Sequence, residues 1–359
     1  MIVYGSRVSY YTGKLEAYLR YKQISYRSEP TPYGNADRLI QNAGVVQMPV
    51  VECGDGRWMS DTTPILLQLE REHPETSIMP TDPVVGFIAR MIEDYGDEWL
   101  WRAAMHFRWS YPYDRMLISN VLVDEVTQNI RAPRFLKRRR IERRQVNGYV
   151  LGDGVTPQTR AHVEQGYHNA LAHMSTMLEQ RPFLLGGAPS LADYGMMGPM
   201  FRHFGQDPTP AEIMRNSAPA VFEWVARMWN ARPTGTPHFV DSVPADVAPM
   251  LKEICETHLV QLEANARAYA NGAEKFAMAV QGCAYSNMPV SRYRVWCLEK
   301  LREAFATLDP AGQQNVRDLL PFPEAEILWA DTNAAQSGYD PDDRLPFGKA
   351  INVFDGGTP

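Results

Sequence analysis

The stretch "QMPVVECGDGRWMSDTTPI", Gln47 to Ile65, gathers groups able to hold a ligand. Pro49 stands at the mouth of an apolar run, and Ser60, Asp61, Thr62, Thr63 and Pro64 stand where a helical pattern begins. A hairpin turning at Gly54-Asp55-Gly56 needs neither feature. A site that grips a peptide-like ligand by its backbone and its carboxylate uses both. Exposed strand backbone pairs with an extended peptide, and a helix N-terminus receives an anion. The four cysteines, Cys53, Cys255, Cys283 and Cys297, show no CxxC spacing. That argues against a zinc knuckle or a disulfide scaffold and predicts reduced thiols, a cytoplasmic protein and no metal. A redox pair among the three late cysteines stays open.

The elements that must position these groups follow from periodicity. "MIVYG" reads as a strand, "GKLEAYLRYKQI" as a helix, "SYRSEP" as a strand and "NADRLIQNAG" as a short helix closed by Gly44. "MPVVEC" and "RWMS" are strands flanking "GDG", and "DTTPILLQLEREH" is a helix with cap-type residues and Pro64 in its first turn. The order β-α-β-α-β-β-α is a thioredoxin-type α/β layout over residues 1–76. A proline-rich linker spans 77–83, and an all-helical region spans 84–232. It includes "VVGFIARMIEDYGDEWLWRAAMHFRW" and the nearly uniformly apolar "SLADYGMMGPMFRHF". Residues 233–359 form a mostly helical C-terminal extension. It holds a long amphipathic helix ending at Gly272, a small hairpin around Gly282, a helix capped by Ser291 and an aperiodic surface tail.

The 359 residues suit more than one core, and 45% hydrophobic with 22% charged residues is ordinary for a soluble protein. A net charge of -6 gives no reason to expect nucleic acid as a partner. No apolar run approaches the ~20 residues that span a bilayer, so membrane insertion is not expected. The N-terminus lacks the basic start and apolar core of a signal peptide. "RAPRFLKRRRIERR" is a basic run with one glutamate. It reads either as an anion or membrane-surface patch or as a solvated helix face, and the acidic chain favours the second.

Residues 1 to 232 resemble the cytosolic glutathione transferases. Three motifs carry the likeness. "QMPV" is similar to the family's Val-Pro motif, with Pro49 at the cis-proline position and the Met48 backbone turned toward the cysteinyl part of glutathione. "MSDTTPI" is similar to the family's acidic-or-amide plus serine pair, with Asp61 suited to the γ-glutamyl amine and Thr62 to its carboxylate. "FLLGGAPSLAD" is similar to the family's C-terminal signature, and Ser190 and Asp193 have capping-box spacing.

The resemblance places the thiol-activating residue just after the first strand, on Ser9, with Tyr10 and Tyr11 as rivals. A hydroxyl there donates to the glutathione sulfur and favours the thiolate, the reactive form. Tyr10 and Gln47 join the implied glutathione contacts. Serine forms no mixed disulfide, so thiolate addition or displacement is favoured over thiol-disulfide exchange. Cys53, inside a strand, is a poor disulfide centre. The aromatic run "WLWRAAMHFRWSYPYDR" supplies Trp101, His106, Trp109 and Tyr113 as an acceptor pocket beside Tyr11, or as core.

The resemblance thus implies a homodimeric glutathione transferase with glutathione as co-substrate. Its acceptor is an apolar or aromatic electrophile, and its reaction is conjugation, ether cleavage, dehalogenation or isomerisation. The alternative is a non-catalytic scaffold whose extension is a partner surface. In the extension, Arg292, Arg294 and Trp296 are expected to fold back over the cleft, onto a neighbouring subunit, or into an accessory layer.

Overall fold

The computed structural model describes residues 1–31, 36–44, 47–330 and 336–349. Its first layer is a four-stranded sheet of β1 (Ile2–Gly5), β2 (Arg27–Pro30), β3 (Val50–Glu52) and β4 (Trp58–Ser60), in the order β2-β1-β3-β4. β1 runs parallel to β2 and antiparallel to β3, and β3 runs antiparallel to β4. The parallel pair needs a crossover, which α1 (Tyr10–Tyr21) provides. α2 (Ala36–Ala43) precedes β3 and stops at Gly44, which adopts φ +82°. Val3, Val51 and Met59 align across the sheet and bury against Leu15, Leu19, Ile65 and Leu69. The last two belong to α3 (Thr62–Glu72).

The register decides where the site forms. Tyr4 pairs with Val50, and Val50 pairs with Ser60. The residues that leave these positions, Ser6 to Ser9, Pro49 and Asp61, therefore emerge at one edge of the sheet.

The second layer is helical: α4 (Pro83–Asp94), α5 (Leu100–Ser110), α6 (Pro112–Val126), α7 (Arg134–Gln145), α8 (Arg160–Leu178), α9 (Leu191–Pro199), α10 (Pro208–Ser217) and α11 (Pro219–Asn230). The helical pattern read from Val84 to Trp109 forms with no non-helical residue in it. A π-helical turn, Tyr95–Trp99, joins α4 to α5. Its Gly96 abuts α9, where a Cβ would lie 2.8 Å from the Gly195 carbonyl oxygen. Gly195 and Gly198 are needed for the same reason. Cβ atoms there would meet the Glu93 backbone at 2.3 Å and the Tyr10 ring at 2.5 Å. The two glycines of "YGMMGP" let α9 lie directly on α4 and α1.

The capping box forms at the start of α9. Asp193 is buried and accepts from the Ser190 amide (2.9 Å) and hydroxyl (2.6 Å), the Leu184 amide (2.9 Å) and the Trp224 indole (3.0 Å). Asp193→Ala strands these four donors. It is expected to lower stability by about 2 kcal/mol, read as a lower urea midpoint with an unchanged m-value.

The extension contains α12 (Ala248–Ile254), α13 (Val260–Ala270), the hairpin β5 (Lys275–Val280) and β6 (Cys283–Pro289), α14 (Arg292–Ala306) and α15 (Pro310–Leu319). The long helix read from the sequence forms over α12 and α13, with another π turn, Cys255–Leu259, inside it. The extension is anchored to α4 and its π turn. His258 contacts Asp94 at 2.6 Å, and Arg294 reaches Glu98 and Asp153 at 3.3 Å each. The expected surface tail is corrected over its described part, 336–349. Ser337 and Tyr339 are buried, and Arg292 donates to the Ser337 and Gly338 carbonyls. That segment is a pinned strap whose Pro346 carbonyl accepts from the Ser60 amide at 3.0 Å. The rest of the tail lies outside the described residues.

Candidate functional site

Three features meet at the sheet edge. The first is the N-terminus of α1. Ser9 is its N-cap, half-buried, with its side chain accepting from the Thr12 amide at 3.4 Å. Its hydroxyl proton has no acceptor among the described residues. Tyr10 and Tyr11 are differently committed. Tyr10 donates to the Gly96 carbonyl, and Tyr11 donates to the Asp97 carbonyl at 2.9 Å. Burial pushes both phenols well above their usual pKa, and the carboxylates of Asp97 and Glu98 add to the shift. A phenol that spends its proton on a backbone carbonyl has none to offer a sulfur. Ser9 is the free donor of the three.

The second feature is the Met48–Pro49 bond, which is cis, with Gln47 and Met48 half-buried and Pro49 buried. The third is Asp61 with Thr62. Asp61 precedes α3 but does not cap it with its side chain. Its backbone sits at φ +71°, ψ 115°, outside the regions an aspartate ordinarily visits. One carboxylate oxygen, Oδ1, accepts from the Tyr293 hydroxyl at 3.2 Å. The other, Oδ2, is buried with no partner. Burial pushes the Asp61 carboxyl up to about 7, against the opposing pull of the Tyr293 hydroxyl and the Lys14 ammonium. A strained backbone and an orphaned carboxylate oxygen are costs that a bound donor would offset. Thr62 is buried, and its hydroxyl has no partner among the described residues.

Beneath this corner lies a charged cluster that sequence reasoning missed. Lys14 is fully buried and bonds Glu93 and Asp97 at 2.5 Å each, and the Thr63 hydroxyl at 3.2 Å. Burial alone would lower the Lys14 pKa, but the two carboxylates outweigh it and hold the ammonium charged. The cluster ties α1, α3 and α4 together behind Asp61. Nothing local in "TGKLEAY" marks Lys14 as buried. Its partners are some eighty residues away.

The structure divides the aromatic candidates. Tyr11 and Trp101 stack at 5.6 Å with rings 17° apart, and Tyr10, Tyr149 and His203 complete the group. This is the wall nearest Ser9. His106 stands apart, buried between Glu164 and Ser110 at 2.8 Å each, and burial pushes its pKa down. Trp109 is buried in the core and Tyr113 is 60% exposed. Tyr149 and His203 were missed because they come from segments far along the chain.

A cavity of about 260 Å³ lies between α3, α4 and α14. Glu93, Asp97, Glu98, Tyr293 and Trp296 line it, whereas Ser9, Met48, Asp61 and Thr62 do not. Its acidic wall is unlike an apolar acceptor pocket, so the geometry at the sheet edge is the better guide to the chemistry. Among the described residues no His, Cys, Asp and Glu cluster is arranged to hold a metal ion, and no helix is long and apolar enough to cross a membrane.

Two family models match the chain. The glutathione S-transferase N-terminal domain covers residues 3–77, and the glutathione S-transferase C-terminal domain covers residues 157–227. No curated protein matches. Among solved structures, the chain is similar to a glutathione S-transferase from Rhodospirillum rubrum F11 at 19% identity, over 63% of this chain and 86% of that one, with a TM-score of 0.43. It is similar to the beta-etherase LigF from Sphingobium sp. strain SYK-6 at 20% identity, over 65% and 95%, with a TM-score of 0.45. It is also similar to FzlA from C. crescentus at 15% identity, over 66% and 95%, with a TM-score of 0.43.

Proposed function

We propose that this chain, which belongs to the glutathione S-transferase family, binds glutathione at the sheet edge and activates its thiol for attack on an electrophile. The observation that carries the reading is Asp61, with its left-handed backbone and its buried, unpartnered Oδ2. That oxygen fits the γ-glutamyl amine. The Thr62 hydroxyl and the first turn of α3 fit the neighbouring carboxylate. The backbone at Met48 fits the cysteinyl part, and Ser9 donates to the sulfur. The thiolate then forms a carbon–sulfur bond. In a displacement the leaving group departs with its electron pair, and in an addition the acceptor takes up a proton.

In this reading residues 1–76 hold glutathione and residues 84–232 hold an apolar or aromatic acceptor against Tyr11 and Trp101. From the extension, 233–359, the described residues Tyr293, Pro346 and Phe347 cover the corner at Asp61. The reading includes a cytoplasmic homodimer. The reaction belongs to the set of conjugation, ether cleavage, dehalogenation and isomerisation, all of which begin from the same thiolate.

A second reading has an observation of its own. Tyr293 and the strap stand over the corner where the γ-glutamyl group would lie: Tyr293 on Asp61, Pro346 on Ser60, and Phe347 against Arg57 at 4.5 Å. A non-catalytic scaffold would keep that contact permanently closed. Titration calorimetry separates the two. The enzyme reading expects glutathione to bind the wild type. It expects Tyr293→Phe to change the affinity by no more than about fivefold, the worth of one neutral hydrogen bond. No heat from the wild type at ~1 mM glutathione, with none restored by Tyr293→Ala, would leave the scaffold standing.

A further inference from the structure

The basic run singled out in the sequence is not absorbed by the glutathione reading. Residues 131–144 carry eight basic side chains and one acidic one, in a chain whose net charge is -6. They form the end of the α6–α7 turn and nearly all of α7. α7 packs on α6 through Ile141, its one buried residue, and through Glu142, which accepts from Ser119 at 2.9 Å. The acids nearby are already engaged. Asp124 pairs with Arg134, Glu125 with Arg7, and Glu142 with Arg138.

What remains faces outward. Arg139, Arg140 and Arg143 are exposed and make no ion pair among the described residues. At 100° per residue they share the side of α7 opposite Ile141, and Leu136 lies among them. The other notable feature is apolar. Ile130 is 41% exposed, Phe135 64% and Leu136 47%, all at the tip of the α6–α7 hairpin. Among the described residues, seven of the nine most exposed large apolar side chains fall between Tyr113 and Leu151. A solvated helix face explains the arginines but not why phenylalanine, leucine and isoleucine crowd the same tip.

We infer that the α6–α7 hairpin is a docking surface for an anionic phospholipid bilayer. The tip would place Ile130, Phe135 and Leu136 at the headgroup–acyl boundary, and Arg139, Arg140 and Arg143 would lie against the charged headgroups. Charge complementarity selects an anionic partner. The mixture of unpartnered arginines with exposed apolar tips selects a surface that is polar outside and apolar a few ångströms in, which is how interfacial helices bind. Nucleic acid and acidic proteins satisfy the arginines but offer Phe135 and Leu136 no comparable depth. The attachment is peripheral and crosses nothing, and it is separate from the corner at Asp61.

The full chain is tested by co-sedimentation with vesicles of phosphatidylcholine and phosphatidylserine in equal amounts, and with phosphatidylcholine alone. Binding to the first and not the second is expected, weakening as salt rises. Arg139→Gln with Arg143→Gln should weaken it roughly 30-fold, from about one unit of headgroup attraction per arginine. Phe135→Ser with Leu136→Ser should also weaken it, although no charge changes. Phe135→Trp should shift its emission to the blue on phosphatidylserine vesicles. All four positions are exposed, so unchanged melting separates lost binding from lost folding. The proposal is overturned if the wild type ignores the mixed vesicles at low salt, or if either double variant binds as the wild type does. It is also overturned if duplex DNA or polyglutamate competes as well as the vesicles do while the Phe135→Trp emission stays unmoved.

Discussion

Asp61→Ala is expected to weaken glutathione binding by about 10²- to 10³-fold, the usual loss when one partner of a buried charged pair is removed. The charge state of the free protein makes this a test with a specific pH signature. Burial holds the Asp61 carboxyl at about 7, so at neutral pH a large part of the free protein carries a neutral acid there. An ammonium ligand needs the ionised form. Wild-type affinity should therefore rise with pH up to about 7 and then level off, until the ligand amine itself loses its proton. Asp61→Ala should abolish that slope along with the affinity. If glutathione binds with no pH dependence between about 5 and 7, Asp61 does not hold the amine.

The same group makes a linked statement about stability. Its folded pKa is raised, so the native state keeps a proton that the unfolded chain has released. The unfolded state binds fewer protons across this window, and stability falls as pH rises. The contribution is fully present below about pH 4, declines from there to about 7, and is gone above. Asp61→Asn removes the dependence. Above pH 7 the variant should be more stable than the wild type by up to roughly 4 kcal/mol at the ceiling set by the size of the shift. Glutathione should narrow that difference, because it supplies the missing partner to the wild type only.

What the sequence could show follows from the range of the forces involved. The hairpin, the helix at Thr62 and the capping box at Ser190 are set by residues within a few positions of each other, and all three formed where their residue types placed them. The cis bond at Met48–Pro49 was legible only through the resemblance. The π turn at Tyr95–Trp99 within the first long helix was not legible, and its Gly96 meets α9 about a hundred residues later in the chain. Lys14 reads as a solvent-facing lysine until Glu93 and Asp97 are brought beside it. The aromatic run misled for a geometric reason. Successive helix residues turn by 100°, so Trp101 joins Tyr11 while Trp109 enters the core, and α5 ends before Tyr113. The strap looked like a tail because it has no period. Its order comes from side chains on α14, and sequence periodicity carries no trace of such contacts.

Tyr293 is the residue that most changes the picture, because it places the extension at the site rather than beside it. That raises the demand on the catalytic test, which must show that the thiol is activated and not merely covered. Ser9→Ala is expected to lower turnover with an electrophile by about 10²- to 10³-fold, as when one preorganised donor to a developing anion is lost. The KM for glutathione should change little, since Asp61, Thr62 and the Met48 backbone remain. The thiolate absorbance of bound glutathione near neutral pH should disappear, and the pH at which it returns should rise. Tyr10→Phe and Tyr11→Phe provide the contrast. Their protons already belong to the Gly96 and Asp97 carbonyls, so both variants should keep the thiolate band. Tyr11→Phe keeps the ring stacked on Trp101 and loses only the bond to the Asp97 carbonyl, so the acceptor KM should also change little. A thiolate band that survives Ser9→Ala and vanishes in Tyr11→Phe would transfer the role to the phenol. That result would require the Tyr11 hydroxyl to leave the Asp97 carbonyl when glutathione binds.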